Sequence, residues 1–230
     1  MLPTAIVDFP PGRLAFGAPR ETIVARTLEE VVPAMQRAER LAIDGAWVVG
    51  MLAYEAAPAF DRALVTRAPD AALPLAWFAV FDAPLGDTDV DARDMCGASP
   101  DASCRWTPDT SRAEWDADVA AIREAIVRGD VYQVNHTLRL TTPWRGDAGA
   151  TRAWYERLRR AQRGAHEAWC AFVDTGEHAI LSASPELFVR RDGRTLVTRP
   201  MKGTAPRGLW HEDDVRRAAA LAASPKERAE

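Results

Sequence analysis

Cysteine is scarce. Cys96, Cys104 and Cys170 are the three in 230 residues, an odd number without CxxC spacing, so neither a disulfide framework nor a cysteine zinc site is indicated. A reducing compartment follows. Positive charge is not in excess either: 29 Lys and Arg stand against 33 Asp and Glu, a formal net charge of -4, and phosphate-backbone binding draws on a basic surplus that this chain lacks. Nucleic acid is not the expected partner. No run approaches the roughly 18 apolar residues of a membrane span, and the start, MLPTAIVDFPPG, has neither a basic n-region nor an apolar core. The cytoplasm is therefore the expected location. Internal repeats and low-complexity tracts are also missing. What remains, 47% hydrophobic and 27% charged residues, is the composition of a soluble globular chain of one or two domains with a sizeable core.

The most informative stretch is 182–208, SASPELFVRRDGRTLVTRPMKGTAPRG. Asp192-Gly193 signals a two-residue hairpin turn, because both central positions of a type I′ turn need positive φ. With the turn centred there, Glu186, Phe188 and Arg190 share a face with Arg199, Val197 and Thr195. Leu187, Val189, Leu196 and Thr198 then make the core face. Pro200 ends the ladder and delivers Lys202, Gly203 and Thr204 beside Glu186, an acid and an amine roughly 10 Å apart by strand rise. Arg190, Arg191, Arg194, Arg199, Lys202 and Arg207 outnumber Glu186 and Asp192 between residues 186 and 207, which suits an anionic small molecule. Arg190, Arg191 and Arg194 themselves read as a solvated hairpin tip.

Taken in order, the chain opens with short strands at Ala5 to Val7, Arg13 to Phe16 and Thr22 to Val24, punctuated by proline and glycine. Thr27 and Glu30 form a capping box for a helix whose face is Leu28, Val31, Val32, Met35 and Ala42, with Pro33 arguing for a later start or a kink. Trp47 to Tyr54 and Leu75 to Phe81 are apolar runs expected as inner strands packed on both faces. Glu55 reads as a strand-end carboxylate facing water. The aspartate-rich stretch 82–109 reads as an exposed connection, with Cys104 to Trp106 as a short strand within it. Ser111 and Glu114 box the best helix, with Trp115, Val119, Ile122 and Ile126 inward and Gly129 as its stop.

Val131 to Leu140 alternates as a half-buried strand should. Gln133 and Asn135 on it read as sheet amides with ligand contact as the alternative, and His136 as a packed or edge histidine rather than a catalytic base. A helix over Ala150 to Arg163 carries Trp154, Leu158 and Ala161 inward, a solvated face of Arg152, Arg157, Arg159, Arg160 and Arg163, and Gly164 as its stop. Strands at Ala168 to Val173 and His178 to Ser182 lead into the hairpin as an expected four-stranded antiparallel meander. A helix over Asp213 to Ala223 follows, and Ser224-Pro225-Lys226-Glu227 starts another with full capping. Since that helix is cut at its second turn, the chain is expected to be the front part of a longer protein.

Ser184-Pro185-Glu186-Leu187-Phe188, followed by Thr198-Arg199-Pro200-Met201-Lys202-Gly203-Thr204-Ala205-Pro206-Arg207-Gly208, resembles the chorismate-utilising enzymes, most closely the aminodeoxychorismate synthase component I branch. Gly129-Asp130-Val131-Tyr132-Gln133-Val134-Asn135 is similar to a second signature of that family, and Gly50 to Ala57 carries a weaker likeness. The resemblance implies an α/β (α+β) fold, an antiparallel β-sheet sandwich with flanking helices, truncated here. Residues 1–109 would be an amino-terminal region with an acidic linker at 82–109, and 110–230 the first half of a chorismate-binding domain.

It further implies amination of chorismate to 4-amino-4-deoxychorismate for para-aminobenzoate and folate synthesis, with ammonia from a glutamine amidotransferase subunit. Lys202 would be the nucleophile, partly neutral through burial or through the nearby cations Arg199 and Arg207. Glu186 would be the general acid and base in an apolar surround such as Phe188. Gly203 and Thr204 would hold substrate, and Glu230 would be a carboxylate ligand of Mg2+. Anthranilate, isochorismate and salicylate synthases are the alternatives, and Lys202 disfavours them. The polypeptide as it stands is expected to be an inactive fragment, retaining at most a ligand-binding or assembly role.

Overall fold

The computed structural model describes residues 4–9, 12–85, 105–162 and 169–229. The elements in chain order are β1 (Ala5–Phe9), β2 (Gly12–Phe16), β3 (Glu21–Ala25), α1 (Leu28–Ile43), β4 (Trp47–Leu52), β5 (Ala76–Phe81), β6 (Thr107–Pro108) and α2 (Arg112–Arg128). Then come β7 (Leu140–Thr141), α3 (Ala148–Ala161), β8 (Trp169–Asp174), β9 (Ala179–Ser184), β10 (Leu187–Asp192), β11 (Thr195–Arg199), α4 (His211–Ala223) and α5 (Pro225–Ala229). Helices are mixed with sheets whose pairings are all antiparallel, an α+β architecture. Two compact units result, one of residues 1–89 with 157–230, the other of residues 90–156. No helix among the described residues is long and apolar enough to cross a membrane.

In the larger unit, β2-β1-β8-β9 form one sheet and β3-β5-β4 another. β5 is the strand that both hydrophobic clusters share. Its successive side chains point to opposite faces. Ala76 and Val80 join Ile23, Ala25, Val31, Ala34, Ala38 and Leu75 on one side, while Trp77, Ala79 and Phe81 join Ala5, Phe16 and Val173 on the other. Phe16 and Phe81 meet there with ring centroids 4.9 Å apart. The expectation of inner strands packed on both faces therefore holds for β5, while β4 meets both clusters, through Val48 on one side and Val49 and Met51 on the other, but is not an inner strand. β4 is an edge strand with Trp47 and Leu52 exposed, because β5 already pairs with β3 on its other side.

Local capping signals read true where long-range pairing did not. The Glu30 carboxylate accepts from the backbone N–H of Thr27 and Arg26 at 3.1 and 2.8 Å, and α1 starts directly after Thr27. Pro33 sits inside it without delaying its start, since the carbonyl four residues earlier belongs to exposed Glu29. The buried stripe of α1 is Val31, Ala34 and Ala38, and Ala42 faces out. α2 has the expected box at Ser111 and Glu114 and a left-handed Gly129 (φ 81°), yet it buries no residue fully.

The strand expected over Val131 to Leu140 shrinks to Leu140–Thr141, because among the described residues the ladder offered to it is the two-residue β6. His136 is packed as expected, stacked on Trp115 at 4.2 Å with Asp118 Oδ2 3.4 Å from its Nε2. In α3, Arg152 is not solvated: it is 2% exposed and paired with Glu156 one turn on. Gly164, Arg163, Cys104 and most of the acidic stretch lie outside the described residues.

The expected meander is also revised. β8 pairs with β1 on its other edge, and β10-β11 stand as a separate two-stranded ladder. Its turn is Gly193-Arg194, with Asp192 opposite Thr195 and Gly193 at φ 59°. Placing the one left-handed residue first, as in a type II′ turn, leaves Asp192 in extended backbone, whereas the expected Asp192-Gly193 turn would force an aspartate to positive φ. The register moves accordingly, and a bulge between Leu187 and Arg190 sets Leu187 opposite Arg199. Only Leu187 of the expected core face is buried. Leu196 and Phe188 are 67% and 89% exposed, so no apolar surround forms about Glu186 from Phe188.

Candidate active site

The bulge aims Glu186 past the end of β11. Its Oε1 accepts a hydrogen bond from the Met201 backbone N–H at 2.9 Å, which brings the acid onto the peptide next to Lys202. The sequence-derived proximity of the two residues is thus realised through the backbone. Lys202 is exposed, and among the described residues its amine makes no ion pair or hydrogen bond. Thr204 is exposed as well. Gly203 is half-buried, and a Cβ built on it would overlap the Glu227 side chain. The close approach that glycine permits here is made by a carboxylate of α5. That α5 turn starts as its capping signals indicate, with Ser224 Oγ accepting from Glu227 N at 3.4 Å.

From Pro200 to Gly208 the chain has no regular structure, and no backbone-to-backbone hydrogen bond reaches it among the described residues. Carboxylates hold it instead. Asp214 Oδ1 accepts from Gly208 N at 2.7 Å and from Arg207 Nε at 2.9 Å, and its Oδ2 lies 2.7 Å from Arg207 Nη2. Asp213, almost fully buried, accepts from Leu209 N at 3.2 Å and pairs with Arg216 and Arg217. These two aspartates were not singled out in the sequence. The available signal was an acidic first turn, His211-Glu212-Asp213-Asp214, behind a tryptophan N-cap that supplies no capping side chain. Arg207 is consequently engaged by Asp214, and the hairpin-tip residues Arg190 and Arg191 bond Asp192 and the Gly193 carbonyl.

The electrostatics give a pH dependence. The N–H of Gly208 and then Arg207 hold the Asp214 carboxyl below the usual carboxylate range, and Arg216 and Arg217 do the same for Asp213. A folded pKa lower than the unfolded one stabilises fully above the unfolded value, about 4, and that stabilisation is lost as pH falls through the folded value. Melting temperature is therefore expected to stay level from pH 7 to pH 5 and to fall below about pH 4. The fall should be smaller in Asp214→Asn, and an equal acid response in the two proteins would count against this linkage.

With this geometry in place, comparison with known proteins is decisive for class. Residues 10–230 match the chorismate binding enzyme family. The chain belongs to that family. Among relatives, it is 31% identical over 202 residues to aminodeoxychorismate synthase component 1 of Salmonella typhimurium, covering 79% of this chain and 43% of that protein. It is 37% identical over 125 residues to the Klebsiella aerogenes protein of the same name, covering 54% and 26%. Anthranilate synthase component 1 of Thermus thermophilus is 39% identical over 127 residues, covering 55% and 26%. This member of the chorismate-binding family thus spans between about a quarter and under half of the relatives it matches.

Proposed function

We propose that this chain is part of an aminodeoxychorismate synthase component I, which aminates chorismate at C4 with ammonia from a glutamine amidotransferase subunit. One observation supports the reading: Glu186 Oε1 accepts from the backbone N–H of Met201, the residue before Lys202, which sets a carboxylate beside the backbone of the proposed nucleophile. Lys202 would attack the ring at C2, forming a C–N bond as the C4 hydroxyl leaves with a proton from Glu186. Ammonia would then add at C4, and the lysine would leave C2 with its electron pair returning to nitrogen. Gly203 and Thr204 would orient the substrate.

For the metal, Glu230 lies outside the described residues, and no group of three His, Cys, Asp or Glu side chains among the described ones is placed to hold an ion. Glu227, three residues earlier, does fit in kind: its Oε2 is buried without a hydrogen-bond partner and is the hard oxygen donor that magnesium takes. When bound, Mg2+ would supply positive charge to the substrate carboxylate. Glu230 and Glu227 are the residues of this chain that we propose to face it.

The competing reading is an anthranilate synthase, supported by the Thermus relative. Product analysis separates them. The full natural-length protein, incubated with chorismate, ammonium and magnesium, is expected to yield 4-amino-4-deoxychorismate by chromatography and mass spectrometry. Anthranilate as the product would replace the reading, and no product at all would remove it.

A further inference from the structure

We infer that Asp213 and Asp214, on the first turn of α4, are positioning residues for Lys202. They fix the far end of the strap whose near end is fixed by Glu186. The inference rests on the reading of Lys202 as the reactive amine, and it adds two residues with no place in that chemistry. Between Met201 and Gly208 the strap has no ladder to define it, and a free segment of six residues, 202–207, samples many conformations. Three backbone N–H groups define it instead, Met201 on Glu186, Gly208 on Asp214 and Leu209 on Asp213.

Charge-assisted bonds of this kind are the stronger class, and carboxylates in a first helical turn are further favoured by the helix dipole. Shape supports the same reading. A Cβ on Gly208 would collide with the backbone of Asp213 and Asp214, so the strap lies directly against α4 with no side chain between. Lys202 is exposed and lies at the near end of this span, one residue after Met201 and six before Gly208, so its place is set by the Glu186 anchor and by the path the chain must take to reach α4. An amine that must meet one carbon of a ring loses rate steeply when it is misplaced by an ångström.

Two arms test this in the full natural-length protein. In the first, amide hydrogen exchange followed by peptide mass analysis compares wild type with Asp214→Ala and with Gly208→Ala. The second variant displaces the strap without removing a carboxylate. Exchange over 201–209 is expected to rise at least about tenfold in both, while the β1, β8 and β9 amides stay protected. Unchanged exchange over 201–209 overturns the inference.

In the second arm, Asp214→Ala is expected to lower kcat with chorismate roughly 10²-fold at a KM within a few-fold of wild type, the pattern of lost positioning. Asp214→Glu is expected to recover part of the rate. Wild-type kcat in Asp214→Ala overturns the inference even if exchange rises. A wild-type protein with no turnover of chorismate, together with raised exchange in the variants, would instead sink the assignment of Lys202 and leave the strap's attachment supported.

Discussion

Lys202→Ala is expected to lose activity with chorismate by roughly 10³-fold or more, the scale on which removal of an attacking group acts. Both kcat and kcat/KM should fall together, because the bond that Lys202 would make belongs to the reaction and not to substrate capture. The composition makes a direct check possible. Lys202 and Lys226 are the only two lysines in these 230 residues, so a substrate-derived mass on a lysine peptide from this part of the protein has two candidate addresses. The adduct is expected on the peptide with Lys202, and Lys226, paired with Glu227 at 3.9 Å, should stay unmodified. Full activity of Lys202→Ala, with no adduct at residue 202, would remove the nucleophile from the proposed mechanism while leaving family membership untouched.

The second large effect concerns folding. Phe16→Ala is expected to cost about 3–5 kcal/mol, the range for an aromatic removed from a packed core. Total stabilities are only about 5–15 kcal/mol, so much of the margin would disappear. Phe16 is 1% exposed and touches Phe81 across the two sheets, in the cluster that β5 supplies with Trp77, Ala79 and Phe81. Truncation leaves a cavity between the sheets that the surrounding rings, Phe81 and Trp47 among them, can close only in part. For a chain of this size the loss corresponds to a fall in melting temperature of roughly 6–20 °C. Phe188→Ala makes the comparison, because Phe188 is almost wholly exposed and its truncation should stay within about 0.5 kcal/mol. Equal urea midpoints for the two variants would contradict this account of the core.

How much of this was legible in the sequence depended on the range of the interaction. Thr27 with Glu30, Ser111 with Glu114, Gly129 and Ser224-Pro225 all mark real helix ends, because each signal and its partner lie within one turn. Strand identity was legible for β1, β2, β3, β8 and β9 for a similar reason. Strand neighbours were not. Nothing local in Trp47–Leu52 says that it will lie on an edge, and nothing in residues 131–139 says that their alternation will find no partner. The burial of Arg152 depends on Glu156 but also on everything that covers both. In the site, the approach of Glu186 to Lys202 was readable because a hairpin enforces it. The contributions of Asp213 and Asp214 were hidden, because a carboxylate in a first helical turn has its usual explanation in the dipole. Its bonds to Gly208 and Leu209 exist only once the loop is in place.

The pairing of β1 with β8 has a consequence for synthesis on the ribosome. Ala5 lies opposite Val173, so the partner of the first strand emerges roughly 165 residues after it. At the usual 5–20 residues per second, that is a wait of roughly 8–35 s. During it, the nascent β1-β2 hairpin carries an open apolar edge, a template for unwanted association. The order of the strands thus leaves that edge without its partner until β8 has been made.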